Sequence, residues 1–131
     1  MPDQRKVKIV LIDDNDTDIY ISKKIISRSS RGTFLKSFLY AKKALNWFRE
    51  EIREVDIILL DINMPEMNGF EFLEAYFQLP PEFRASCTVM MLTSSKNSFD
   101  LERAKNYVDI VMKKPLTVKS LDDILDTYEK M

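Results

Sequence analysis

The chain contains no histidine. Imidazole metal ligands, histidine acid/base catalysis and any nucleophilic triad built on histidine are therefore excluded. A single cysteine, Cys87, cannot form an internal disulfide; its apolar neighbourhood before Val89 reads as that of a small core residue, and a reducing compartment is expected. Only two glycines are present, so no glycine-rich phosphate cradle follows the first strand, which argues against a flavin-binding module. Neither sign of charge dominates. Twenty Lys+Arg against twenty-one Asp+Glu give a net charge of -1, and with no basic field neither nucleic acid nor a membrane surface is an expected partner. No apolar run approaches the length that spans a bilayer, and the N-terminus lacks a charged-then-apolar signal pattern. A cytoplasmic location is the expectation.

What is present suits one soluble domain over residues 1–131, with no room for a separate output domain: 45% of residues are hydrophobic and 31% charged. Val7 to Ile12 is an aliphatic strand ending in Asp13-Asp14. Asn15, Asp16 and Thr17 are candidate caps for a first helix striped by Ile21, Ile25 and Ile26, and Gly32 marks a turn. Phe34 to Tyr40 predicts a second strand, and Ala41, Ala44, Leu45, Phe48 and Ile52 fall at helical spacing. Ile57 to Leu60 is a short strand buried on both faces. Phe70, Leu73 and Phe77 predict a third helix stopping near Leu79 because Pro80-Pro81 cannot extend it, followed by a loop to about Ser86. Val89 to Leu92, a helix over 98–107, Ile110 to Met112, and a terminal helix on Val118, Leu121, Ile124, Leu125 and Tyr128 complete the series. Strict alternation of strand and helix predicts an α/β fold with a parallel sheet covered on both faces.

Four strand ends carry polar groups: Asp13 with Asp14, Asp61, Thr93 with Ser94, and Lys114. The carboxyl ends of parallel strands share one edge, so these residues converge on one crevice. Crowded carboxylates repel unless a cation sits among them, and a set offering only oxygen favours a hard ion such as Mg²⁺. With phosphate as the ligand each group acquires a role. Asp61, central and followed by the turn Met64-Pro65 through Asn68-Gly69, is the candidate nucleophile for an acyl phosphate. Lys114 would neutralise one phosphoryl oxygen, and Thr93 would donate a hydrogen bond to another. Singly, an aspartate after a strand is usually a helix cap, and a lone Thr or Lys a surface residue; the agreement of four strand ends reverses those odds. Met64, Met67, Met90 and Met91 read as packing residues, and Asp122-Asp123 as a solvated helix face.

In this order and spacing, Ile12-Asp13-Asp14-Asn15, Asp61-Ile62-Asn63-Met64-Pro65 through Gly69, Leu92-Thr93-Ser94 and Lys114-Pro115 resemble the receiver domain of two-component response regulators. The resemblance runs from Val7 to the terminal helix. It implies a flavodoxin-like doubly wound sheet of order 2-1-3-4-5 with five helices. It further implies a non-enzymatic phospho-acceptor switch in which Asp61 is phosphorylated by a sensor histidine kinase or histidine phosphotransfer protein and a downstream protein target is contacted. Asp14, Asp61 and the Asn63 backbone carbonyl would ligate Mg²⁺, with Asp13 acting mainly through water, and Lys114-Pro115 would be a cis peptide. One position departs from the pattern. Val111 stands three residues before the lysine, where such domains usually carry Tyr or Phe.

A phosphorelay intermediate is the runner-up within the family. From another class, a Mg²⁺-dependent aspartyl-phosphate phosphatase would use similar groups, but such enzymes want a second carboxylate two residues after the nucleophile, where this chain has Asn63. Asn63 and Ser95 are expected to flank the route of attacking water.

Overall fold

The computed structural model describes residues 5–84 and 87–131, so the far end of the loop expected to run to Ser86 lies outside the described residues. Strands β1 (Val7–Ile12), β2 (Gly32–Phe38), β3 (Ile57–Leu60), β4 (Thr88–Thr93) and β5 (Val111–Lys113) alternate with helices α1 (Asp16–Ser27), α2 (Ala41–Glu50), α3 (Gly69–Tyr76), α4 (Ser98–Lys105) and α5 (Val118–Glu129). A short 3₁₀ turn spans Pro81–Phe83. All strand pairs are parallel and the order is β2-β1-β3-β4-β5, as in flavodoxin-like folds.

Period-two alternation divides the sheet between two apolar layers. Val10, Ile12, Ile58, Leu60 and Met91 pack under α2 and α3 with Ala44, Phe48, Phe72, Leu73 and Tyr76. Val7, Ile9, Leu11, Ile57, Leu59, Met90 and Leu92 face α1 and α5 with Ile19, Ile26, Leu121, Ile124 and Leu125. Both layers exclude water from the central strands, whose residues Ile57 to Leu60 are all buried. The strand termini are thereby fixed at one edge by side chains that have nowhere else to go.

Several local expectations shift. β2 begins at Gly32, which pairs with Val7 and sits under Ile9 and Leu125; it is a strand residue where space is short, not the turn. Ile9 pairs with Phe34 but Val10 with Lys36, so Leu35 is an extra residue that bulges the edge strand. Ile52 lies past the end of α2 and is exposed, as is Phe77 past the end of α3. The core face of α3 is instead Phe70, Phe72, Leu73 and Tyr76. The four singled-out methionines pack as expected: Met64, Met90 and Met91 are buried, and Met67 is half-buried against the core. Cys87 is half-buried against the same layer.

Candidate functional site

Each candidate residue is delivered by a strand that ends one step earlier or at that residue. Asp13 follows β1, and its N–H donates to the Phe38 carbonyl at 3.0 Å. Asp61 follows β3, and its N–H donates to the Ile12 carbonyl at 2.9 Å. Thr93 ends β4, and Lys114 follows β5 with its N–H donating to the Thr93 carbonyl at 2.9 Å. These bonds tie the end of β1 to β2, the end of β3 to β1 and the end of β5 to β4, one residue beyond strands that lie side by side in the sheet.

Asp13, Asp61 and Thr93 are buried, whereas Asp14 is exposed. Lys114 reaches into the group with a nearly buried side chain, its Nζ 2.6 Å from Asp13 Oδ2, 3.1 Å from Asp61 Oδ2 and 3.0 Å from Asp18 Oδ2. The Lys114–Pro115 peptide is cis, as the resemblance implied. Beneath the carboxylates the lining is mostly apolar, with Leu11, Ile19, Leu59 and Leu92 and the hydroxyl residue Ser22 around a void of about 10 Å³. Burial against this floor pushes the Asp13 carboxyl up to about 6, despite the hydrogen bond from Lys114. Burial also raises Asp61, opposed by the Lys114 charge and assisted by Asp14. Burial would lower Lys114, but hydrogen bonding and charge from Asp13, with Asp61 and Asp18 adding, hold its ammonium above the ordinary lysine range. Three carboxylates surround a single ammonium, so the cation is firmly held, while for Asp13 and Asp61 the lysine does not offset the cost of burial.

The loop after Asp61 is built to keep that carboxylate in place. Gly69 donates its N–H to the Ile62 carbonyl at 2.8 Å, and a Cβ there would collide with the Asp61 carbonyl. The left-handed residue of the turn is Glu66 at φ 67°, whereas Asn68, expected to supply turn chemistry, caps α3 in a reciprocal pair with Glu71. Asn63 is exposed in this loop, with its backbone beside the Asp61 carboxylate.

Thr93 Oγ1 accepts the Ser95 N–H at 3.0 Å, which leaves its own proton available to a ligand oxygen. Ser95 Oγ donates to Asp100 Oδ2 at 3.2 Å and accepts from the Asn97 N–H at 3.2 Å, linking the end of β4 to the start of α4; Ser94 is exposed. Asp13, Asp14 and Asp61 each offer an oxygen within 4.8 Å of the others. Three carboxylates with no nitrogen or sulfur donor among them fit a hard divalent cation that keeps part of its water shell. The predicted residues Asp13, Asp61, Thr93 and Lys114 therefore meet, with Asp14 at the outer side. Asp18 was missed by sequence reasoning. Its signal is its place in the first turn of α1, four residues after Asp14, but an acidic residue there usually means only a favourable helix dipole.

Val111 is half-buried in the layer that holds Ala104 and Val108. The aromatic residue of this region is Tyr107, whose ring lies 5.5 Å from Phe70 and whose hydroxyl donates to Glu74 Oε2 at 3.2 Å.

Among the described residues no helix is long and apolar enough to cross a membrane. A profile of the response regulator receiver domain matches residues 9–126. A two-component response regulator from Cytophaga hutchinsonii superposes with a TM-score of 0.85 at 29% identity, covering 97% of this chain and 100% of that one. A response regulator receiver protein from Dyadobacter fermentans DSM 18053 gives 0.81 at 29% identity over 94% and 98% of the two chains. Among curated relatives, the two-component response regulator ORR21 of Oryza sativa is 26% identical over 121 residues, 90% of this chain and 16% of its own length. A stretch of 71 residues is 34% identical to the probable histidine kinase 1 of Oryza sativa, covering 53% of this chain and 7% of that protein. The chain spans less than a fifth of the length of these curated relatives.

Proposed function

Because the chain belongs to the response regulator receiver domain family of two-component systems, we propose that it is a phosphorylation-controlled switch whose acceptor is Asp61. The observation that carries this reading is the convergence on Asp61 of a nearly buried ammonium and a carboxylate cluster, at the rim where the adjoining strand ends in Thr93. Receivers in this family generally accept phosphate on an aspartate with Mg²⁺, act as signalling switches rather than enzymes, and work with histidine kinases and phosphotransfer proteins.

In the proposed reaction an Asp61 carboxylate oxygen attacks the phosphorus of a partner's phosphohistidine. The new P–O bond forms an acyl phosphate as the P–N bond breaks, and the electron pair returns to the imidazole. Lys114 neutralises charge on one phosphoryl oxygen, and Thr93 donates its hydroxyl proton to another. Asp13, Asp14, Asp61 and the Asn63 backbone carbonyl are the proposed holders of Mg²⁺. The ion, when bound, supplies charge neutralisation that phosphoryl transfer needs and that one lysine cannot provide alone. With no histidine in the chain, the donor is another protein or a small phosphodonor.

Signalling follows as a shift in an existing equilibrium of the β4, α4, β5 and α5 face, read by a downstream protein. The Thr93 hydroxyl and the neighbouring Ser95–Asp100 link supply the lever, and Val111 means that the shift proceeds without an aromatic ring at that place on β5. Similarity to part of a histidine kinase favours a second reading, an intermediate that passes its phosphoryl group on to a phosphotransfer protein. The two readings differ in whether the phosphorylated form binds a target or returns the group rapidly. An aspartyl-phosphate phosphatase is disfavoured by the amide of Asn63, which cannot act as the acid/base that turnover requires.

The test is intact mass after incubation with a small phosphodonor, with and without Mg²⁺. A single phosphoryl adduct that needs Mg²⁺ and is absent in Asp61→Asn is expected. An adduct that persists in the variant would move the acceptor elsewhere.

A further inference from the structure

Asp18 occupies the third position of α1, from which an acidic or hydroxyl residue ordinarily turns back to the N–H of the capping residue. Two other helices of this protein do so. Glu71 accepts the Asn68 N–H at 2.9 Å at the start of α3, and Ser120 accepts the Thr117 N–H at 2.8 Å at the start of α5. In α1 that N–H belongs to Asn15 and is already taken by Asp13 Oδ1 at 3.0 Å. The Asp18 carboxylate is thereby released from capping, and its Oδ2 accepts from Lys114 Nζ at 3.0 Å instead.

An ammonium has three protons, and Lys114 Nζ faces three carboxylates, those of Asp13, Asp18 and Asp61. Asp13 and Asp61 also belong to the three-carboxylate cluster suited to a cation; Asp18 does not. Asp18 meets the lysine from outside that cluster. We propose that Asp18 is a positioning residue that draws the Lys114 ammonium toward α1, easing its hold on Asp13 and Asp61 for an incoming Mg²⁺ while competing with the phosphoryl group for the same protons. The inference rests on the phospho-acceptor reading above. It gives Asp18 opposite effects on two ligands: it favours the cation, by adding negative charge and diverting the lysine, and opposes the anion, by repulsion and by occupying a donor.

Both effects are read as equilibrium constants, by calorimetry with Mg²⁺ alone and with beryllofluoride, a phosphoryl mimic, at saturating Mg²⁺. In Asp18→Asn the Mg²⁺ dissociation constant should rise and the beryllofluoride constant should fall, each by about three- to tenfold, the size expected when one charge is removed from a partly buried pair. Asp18→Glu keeps the charge and should return both constants toward those of the native chain. Asp61→Asn, run in parallel, should bind no beryllofluoride. Unchanged constants in Asp18→Asn, or constants that move in the same direction, would overturn the proposal and leave the phospho-acceptor reading standing. Failure of the native chain to bind either ligand would overturn both.

Discussion

Asp13 is the residue at which the cost of assembling the site is concentrated. Its carboxyl is pushed up to about 6 by burial, above the 3.8 it would have in the unfolded chain. The folded protein therefore holds a proton there more tightly than the unfolded one, and the sign follows directly. This group's contribution to stability is fullest below about pH 4 and is lost as the pH rises from about 4 to 6. In the metal-free protein, urea unfolding should show Asp13→Asn gaining on the native chain across that window and exceeding it by about 1–2 kcal/mol at pH 7. Equal stability at pH 5 and pH 7 for the two proteins would contradict this. At the same scale Asp13, Asp61, Thr93 and Lys114 were legible in the sequence because each sits where an aliphatic run gives out, a pattern visible without coordinates. Asp18 was not. Whether a first-turn acid caps its helix or serves a lysine 96 positions away depends on which N–H is already taken, and only the folded backbone decides that.

At the scale of elements, the strands were more legible than the helix faces. β3 was read to its exact bounds because a four-residue run buried on both sides has no phase to misjudge. α3 was harder. Phe70, Leu73 and Phe77 satisfy helical spacing, yet the helix ends at Tyr76, so Phe77 is exposed while Phe72 and Tyr76, adjacent to the counted positions, are buried. A short helix beneath a central strand buries more than one stripe, and the assumption of a single narrow face is what failed. Phe72 has no measurable exposure and stacks 5.6 Å from the Tyr76 ring. Phe72→Ala should therefore cost about 3–5 kcal/mol, whereas Phe77→Ala should stay within about 0.5 kcal/mol of the native chain in urea unfolding. A comparable loss from both would mean that α3 continues past Tyr76 and packs Phe77 after all. The edge strand β2 was displaced by two residues at each end because Gly32, read as punctuation, is a strand residue chosen for lack of space.

For the molecule as a whole, the parallel sheet and its polar edge were legible together, since alternation fixes a parallel sheet and a parallel sheet puts its strand ends on one side, whereas the strand order came with the family resemblance. The fold is strained at that edge by its own chemistry: Asp13, Asp18 and Asp61 surround one lysine, with Asp14 beside Asp13 and Asp61. Mg²⁺ at a hundred times its dissociation constant should stabilise the native chain by about 2.7 kcal/mol through binding to the folded state alone. The corresponding rise in Tm should be largely absent in Asp14→Asn and Asp61→Asn, and it should weaken below about pH 6, where the Asp13 carboxyl retains its proton. An equal Mg²⁺ shift in all three proteins would place the ion elsewhere. The most direct measurement on the central claim is the identity of the phosphorylated residue. An acyl phosphate reduced by borohydride becomes homoserine in place of the aspartate, and fragment masses locate it in the sequence. Phosphorylation with a small phosphodonor and Mg²⁺ should place a single homoserine at position 61; homoserine at position 13, 14 or 18, or a phosphoryl group that borohydride does not convert, would contradict the account.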